Sequence, residues 1–391
     1  MATDMNTEQQ PLDRQDYPCE NCGALLAFKP GAEALVCDYC GHENPIEDAG
    51  IEVVENDLDA ALADLEGQHA VEHVAAVKCD SCAAEFTLAK NETAGRCPFC
   101  AVPVVVDPMQ VRRLTPDALL PFKLTARDAR LATVRWLRRS WLAPEAMRRH
   151  TTADDTFKGV FLPYWTYDAD TASRYNGMRG VNYTVTVGSG ENRRTETRIR
   201  WTPVSGRVAR VFDDVLVPSS HSLPSVYLSR LSPWDLENQR PYADEYIAGY
   251  ISEAYQVPLA EGFTEAKQIM RRVIERDVRR SIGGDHQKIT RLETQYDDTT
   301  FKHVLLPTYL SAFRWKDRVY RFVVNARTGE VQGERPTSVW KVMVLIFLGV
   351  ILSFGGRGRD PVADVIQPES PREYAPAGCL GRYAMDLLVW T

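Results

Sequence analysis

The feature that most constrains this chain is a cysteine pattern that occurs twice. Cys19-Glu-Asn-Cys22 is followed after fourteen residues by Cys37-Asp-Tyr-Cys40, and Cys79-Asp-Ser-Cys82 is followed after fourteen by Cys97-Pro-Phe-Cys100. A Cys-x-x-Cys turn puts two sulfurs on one side of a tight knuckle, and two facing knuckles supply four thiolates at the corners of a tetrahedron. Each segment is far too short to bury a core, so a metal must hold it folded. Zinc supplies on the order of 10–16 kcal/mol in such peptides. Gly23, Gly31 and Gly41 suit knuckle and hairpin turns, as does Gly95 before the fourth knuckle, and Pro98 favours a tight turn inside it. Disulfides and redox chemistry are the rival readings. Met1 to Gln15 is polar and resembles no secretory signal, so the cysteines are expected in a reducing cytosol, where disulfides are rare. Four sulfurs leave no open coordination position, which makes the expected pair of Zn2+ ions structural.

At 391 residues the chain has room for two or three domains, and its net charge of −7 argues against a dedicated DNA-coating protein. The expected order begins with a disordered stretch, 1–16, then zinc ribbon one, 17–48. An acidic linker, 49–76, carries Leu58, Ala61, Leu62 and Leu65 at helical spacing. His69 and His73 have metal-ligand spacing, but both ribbons are already complete, and solvated linker histidines are the plainer reading. Ribbon two occupies 77–106. Cys379, outside both ribbons, reads as a free thiol.

The main domain is expected over 107–336. Its first helix, 125–141, opens on Thr125 with Asp128 three residues on, and Leu131, Val134, Leu137 and Trp141 form the expected buried stripe. Its other face is basic, with Arg127, Arg130, Arg135, Arg138 and Arg139 as candidate phosphate contacts. A solvated helix face is the plainer reading. From Phe157 the period changes to two. Asn176-Gly177 signals a two-residue hairpin, and Val181–Val187, Thr195–Trp201 and Arg207–Val217 read as strands of an antiparallel meander. Trp234 and the series Tyr242, Tyr246, Tyr250 read as packing. A second helix, Glu261–Ile282, is stopped by Gly283-Gly284, and Asp285-His286 beyond it reads as a loop, not a catalytic pair. Phe301-Lys-His-Val-Leu-Leu-Pro-Thr-Tyr309 then echoes Phe157-Lys-Gly-Val-Phe-Leu-Pro-Tyr-Trp165. Both copies follow a helix and lead into strands. The expected class is therefore α+β: two N-terminal zinc ribbons, a duplicated helix-plus-antiparallel-sheet domain and one C-terminal hydrophobic helix.

That last helix is expected over 339–356. Its uninterrupted part, Val342–Phe354, has thirteen residues, roughly 20 Å of helix. Adding Val339 and Trp340, with Lys341 snorkelling, brings it near the lower limit for crossing a bilayer. The tail, 357–391, is proline-bearing and reads as disordered. No Gly-x-x-x-x-Gly-Lys-Ser/Thr, His-Glu-x-x-His or Gly-x-Ser-x-Gly occurs, so no catalytic residue, NTP site or small-molecule substrate is evident.

The two ribbons, Trp141-Leu-Ala-Pro144, the Phe157 segment, Arg200-Trp-Thr-Pro-Val-Ser-Gly206, Phe212-Asp-Asp-Val215 and Thr328-Gly-Glu-Val-Gln-Gly-Glu-Arg-Pro336 together resemble a family of bacterial double zinc-ribbon membrane proteins. Its members are commonly labelled primosomal protein N′ (replication factor Y), superfamily II helicase. The resemblance covers residues 17–345. It implies the eight cysteines as zinc ligands and a C-terminal membrane helix, and its label implies a helicase, for which this chain has no nucleotide-binding motif.

The function expected from all this is a non-catalytic, membrane-tethered adaptor or scaffold that binds a protein partner. It would be held at the inner membrane by 339–356, with the bulk of the chain in the cytoplasm. The alternative is a nucleic-acid-binding zinc-ribbon protein that uses the arginine-rich helix 125–141.

Overall fold

The computed structural model describes residues 17–46, 53–67, 72–86, 94–105, 109–139, 157–315, 318–334 and Met343. The chain divides into two compact units, 1–338 and 339–391. The expected membrane helix 339–356 lies, apart from Met343, outside the described residues, as do the stretches 1–16 and 357–391. No helix among the described residues is long and apolar enough to cross a membrane.

Helix α1 (Leu58–Gly67) follows ribbon one. Strand β1 (Ala118–Leu119) and helix α2 (Ala126–Arg139) precede β2 (Lys158–Val187), and a turn leads into β3 (Arg194–Pro218). Strand β4 (Ile251–Ser252) and helix α3 (Leu259–Ile282) precede β5 (His286–Trp315), β6 (Arg318–Asn325) and β7 (Val331–Gly333). The fold is thus mixed helix and sheet. The main sheet runs β3-β2-β5-β6-β7 with antiparallel neighbours, while β1 lies parallel beside β5 and β4 parallel beside β2.

The expected meander is instead one long hairpin. Strand β2 runs straight through Asn176-Gly177, and the reversal comes at Gly188–Arg193. Gly177 is there for close approach. A Cβ on it would lie 2.6 Å from the Lys288 carbonyl oxygen and 2.8 Å from Ile282 Cδ1. Helix α3 therefore presses onto the sheet at that point, with Ala266, Met270, Ile274, Val278 and Ile282 buried beneath it. The expected apolar face of α3 is the observed one. For α2 the period is right but the phase is shifted. Ala129, Ala132, Thr133 and Leu137 are buried and Leu131 is exposed. The small residues let the helix sit close, and Trp136 meets Phe322 edge-on at 5.9 Å.

Beyond Asp168, strands β2, β3 and β5 leave the body as a three-stranded arm backed by α3. Residues 168–187 of β2 span about 60 Å at the usual rise per residue. The chain leaves the sheet at β7, which pairs with β6 at the opposite end from the arm tip.

The two echoed segments pair with each other. Leu162 faces Leu306, its own counterpart, so a local twofold axis passes between them. Equivalent bonds recur on both sides. Tyr309 Oη donates to the Leu124 carbonyl at 3.0 Å, and Trp165 Nε1 donates to the Val257 carbonyl at 3.0 Å. Leu120 N–H donates to Leu305 O, as Glu253 N–H does to Phe161 O, both at 3.0 Å. The halves are interleaved: α2 packs on β6 of the second half, and α3 on β3 of the first.

The ribbons lie on opposite faces of this sheet. Ribbon two shares a core with Val160, Leu162, Tyr164, Val304 and Leu306. Ribbon one shares a core with Phe122, Phe161, Leu305, Tyr309 and α2. Alternate residues of a strand face opposite ways, so the parity of these positions puts one ribbon on each side.

Candidate metal centres and the carboxylate cluster around Lys302

The eight cysteines fall into two groups of four, Cys19, Cys22, Cys37, Cys40 and Cys79, Cys82, Cys97, Cys100. None of the eight is in a disulfide. Within the first group Cys19 and Cys40 lie 3.6 Å apart and Cys22 and Cys37 3.5 Å apart, sulfur to sulfur. Within the second, Cys79 and Cys100 are 3.6 Å apart and Cys82 and Cys97 3.7 Å. A tetrahedron with metal–sulfur bonds of about 2.3 Å has edges of about 3.8 Å, so each set fits a four-coordinate ion such as zinc and is far too open for disulfides. Crowding divides the protons unevenly. The hydrogen bond from Cys97 lowers the Cys82 thiol to about 5, while the same bond raises Cys97. Ligation replaces those shared protons with a dication.

Backbone shape shows how the knuckles close. Gly23 and Gly41, directly after the second cysteine of each knuckle in ribbon one, have φ of 71°. In ribbon two the same positions hold Ala83 and Ala101, with φ of 59° and 58°. Gly95, by contrast, lies in a strand opposite Val104 and makes no turn. In ribbon one, the buried Asn44 ties the knuckles together: it accepts from Glu20 N–H at 3.0 Å and donates to Leu35 O at 3.2 Å.

The ribbons differ in what they show to solvent. Phe99, inside the fourth knuckle, is 1% exposed and packs on Phe86. Tyr39, at the equivalent place in ribbon one, is 85% exposed, and Leu25 of the same ribbon is 66% exposed. Cys22 and Cys40 are exposed, whereas Cys79, Cys97 and Cys100 are buried. Ribbon two is part of the core, and ribbon one carries an open edge.

A third group was not foreseen from spacing. Glu55, Asp168 and Asp213 bring carboxylate oxygens within 4.8 Å of one another. Buried Lys302 enters the same place, 3.2 Å from Glu55 and 2.8 Å from Asp214. Bulges on both sides of Asp168, and a left-handed Asp214 at φ 50°, gather these groups. Burial raises the Asp168 carboxyl to about 6. Burial alone would lower the Lys302 ammonium, but Asp214, Asp168 and Glu55 reverse this and hold it above its ordinary value. The ammonium thus supplies the positive charge that a cation would otherwise bring.

The remaining candidates separate. Of the five arginines of α2, Arg127, Arg135, Arg138 and Arg139 are exposed, and Arg130 is half-buried. His69 lies outside the described residues, and His73 stands in a strand opposite Arg112. Asp285 accepts from Asn182 N–H at 2.7 Å and His286 Nε2 lies 3.0 Å from Asn182 Oδ1, so the pair closes the start of β5. Tyr250 stacks on Phe122 at 4.0 Å, as expected of packing.

No protein-family model matches the chain, and no solved structure matches it. Among curated proteins it is similar to the uncharacterized protein YdjG of Bacillus subtilis (strain 168), at 24% identity over 331 residues covering 83% of this chain and 91% of that one.

Proposed function

We propose that this is a non-catalytic zinc-ribbon adaptor, tethered at the inner membrane by residues 339–356 with its bulk in the cytoplasm, which binds a protein partner through ribbon one. The observation that carries the reading is the contrast between two equivalent knuckles: Phe99 is buried in the core, whereas Tyr39 is left in water, as is Leu25 of the same ribbon. An aromatic and an aliphatic side chain on a rigid, metal-closed edge make the kind of anchor that protein interfaces use. Zinc in both ribbons acts as a structural staple. No catalytic role is assigned to any residue, in keeping with the absence of nucleotide-binding and hydrolase motifs.

The test is cross-linking in cells followed by membrane fractionation. The full chain should sediment with membranes and cross-link to a discrete partner. Leu25→Ser with Tyr39→Ser should abolish the cross-link while leaving the zinc content and melting temperature unchanged. A soluble full-length chain would refute the tether, and a cross-link untouched by the double variant would refute the docking edge. The alternative, nucleic-acid binding by α2, draws on its exposed arginines, and predicts that Arg135→Ala, Arg138→Ala and Arg139→Ala together weaken binding.

A further inference from the structure

We infer that the open face of the arm binds single-stranded nucleic acid. Charge along the chain is divided unequally. Residues 171–210 and 266–295, which build the outer arm, hold sixteen Lys and Arg against six Asp and Glu, a net +10, in a chain of net −7; Arg174, Arg207, Lys288 and Arg291 stand on the face turned away from α3, and the others stand on the opposite face, at the tip turn or on α3 itself. Everything else therefore carries −17. One face of the arm is covered by α3. The other is bare sheet, and its cross-strand rows can be read from the register.

Nearest the body, exposed Asp170 lies opposite exposed Asp297 with Val211 on its other side, and the next row is Ala209, Ala172 and Gln295; beyond these, Arg174 stands between Arg207 on β3 and Glu293 on β5. The next row is Ser205, Asn176 and Arg291, and then Pro203, Met178 and Lys288. The outermost is Trp201, Gly180 and His286. Arg174, Arg207, Lys288, Arg291 and His286 are all exposed. Glu293 is engaged by Arg291 at 2.9 Å, and no carboxylate is paired with Arg174 or Arg207 among the described residues. Two arginines directly opposite on one face repel, the reverse of what sheet stability favours. A phosphate between them removes that repulsion and accepts from both guanidinium forks.

The outer row adds rings. A Cβ on Gly180 would lie 2.9 Å from His286 Cβ and 3.0 Å from Trp201, so both side chains lean over the glycine. Lys288 Nζ lies 4.3 Å from the Trp201 ring centre. Basic groups beside an aromatic platform on a flat sheet are the means by which single strands are held: phosphates on the charges, bases on the rings. Duplex fits less well. A major groove about 12 Å wide admits one helix or a two-stranded ribbon, and this arm is three strands thick with a helix behind it.

The inference does not depend on the protein-partner reading. The test is fluorescence anisotropy of a labelled twenty-nucleotide single strand, its duplex, and vesicles containing phosphatidylserine, each titrated with zinc-loaded full-length protein between 50 and 400 mM salt. Four phosphate contacts give a slope of about −3 for log K against log salt. Arg174→Ala with Arg207→Ala and Lys288→Ala should lower single-strand affinity at least tenfold and reduce the slope by about 2. Because these residues are exposed, an unchanged melting temperature and zinc content would confirm that the variant is folded. Arg135→Ala with Arg138→Ala and Arg139→Ala on α2 should change neither quantity. Failure to bind the single strand at 50 mM salt, equal loss with the α2 variant, tighter binding to duplex, or arm-dependent binding to vesicles alone would each overturn the inference.

Discussion

Replacing Lys302 by methionine gives the most direct check on how the body of this protein handles charge. The Lys302 side chain is 5% exposed and bonds Asp214 at 2.8 Å and Glu55 at 3.2 Å. Removing one member of a buried ion pair costs about 3–5 kcal/mol, because the partner charges stay behind. Here Asp214 is 22% and Glu55 43% exposed, so water screens part of that, and the loss should be about 2 kcal/mol at neutral pH. The pH dependence distinguishes this mechanism from simple misfit. In the parent protein Asp168 titrates at about 6, raised chiefly by burial. Its unfolded value is near 3.9, so the folded chain holds an extra proton between the two, and this contribution to stability grows as pH falls through 6 and fades as pH rises. The lysine's own pKa is raised, so its contribution is complete everywhere below its unfolded value and stays constant across this window. Without the ammonium the Asp168 carboxyl must move higher still, and the variant should regain stability on acidification faster than the parent. Urea unfolding at pH 8, 7, 6 and 5.5, with zinc content checked at each, should show the deficit shrink from about 2 to below about 1 kcal/mol. A deficit that is constant or grows toward acid pH would refute the argument. The cluster should also become a cation site once its ammonium is gone, so millimolar Ca2+ should stabilise the variant and leave the parent unmoved.

Three further outcomes are expected. Elemental analysis should return two zinc ions per chain, and Cys22→Ser with Cys40→Ser should leave one, because ribbon two closes independently within the core. Ala83→Gly and Ala101→Gly should each stabilise the chain by roughly 0.5–1 kcal/mol, since both alanines hold positive φ where ribbon one has glycine; thermal melting reads this, and destabilisation would show the strain to be absent. Gly177→Val should cost about 3 kcal/mol by pushing Ile282 and the Lys288 carbonyl away, whereas a true hairpin glycine there would make the arm lose its pairing; amide exchange along β2 and β5 separates the two.

The ribbons were legible because metal chemistry leaves its ligands in the sequence at fixed spacing. Helix α3 was legible because Ala266, Met270, Ile274 and Val278 mark one face without competition. The arm was not. Asn176-Gly177 carries strong turn chemistry, and nothing local says that Gly177 is required by a helix arriving from a hundred residues downstream. The phase of α2 was missed because Leu131 and Val134 look more apolar than Ala129 and Ala132, yet close packing on a sheet selects small residues. The Lys302 cluster has no sequence signature, since two bulges, where β2 meets β3 and where it meets β5, assemble it. The charge of the arm was readable, but only by counting segments 171–210 and 266–295 together, and their adjacency is a tertiary fact.

The local twofold gives the arm its meaning. Around Leu162 and Leu306 the two halves agree hydrogen bond by hydrogen bond, even to Trp165 and Tyr309 each reaching the loop that leads into the opposite helix. The agreement stops where the hairpins part. Strand β5 turns after Trp315, but β2, which passes the equivalent place near Thr171, continues to Val187. Helix α3 is correspondingly longer than α2, 24 residues against 14, and its extra turns lie along the arm. A symmetric pair of short hairpins would suffice to cover a common core. Beyond Tyr175 the bare face of the extension mixes exposed Asn176, Ser205, Lys288 and Arg291 with half-buried Met178 and Trp201. The extension also concentrates like charge, which costs stability. An element that departs from the symmetry of its own domain and gathers repulsive charge is retained for contact with something outside the chain. Shortening it by joining residue 172 to residue 209 should therefore leave the body folded and both zinc ions bound, and should remove single-strand affinity; loss of the zinc ions or of the body's cooperative melt would show that the arm is part of the core after all.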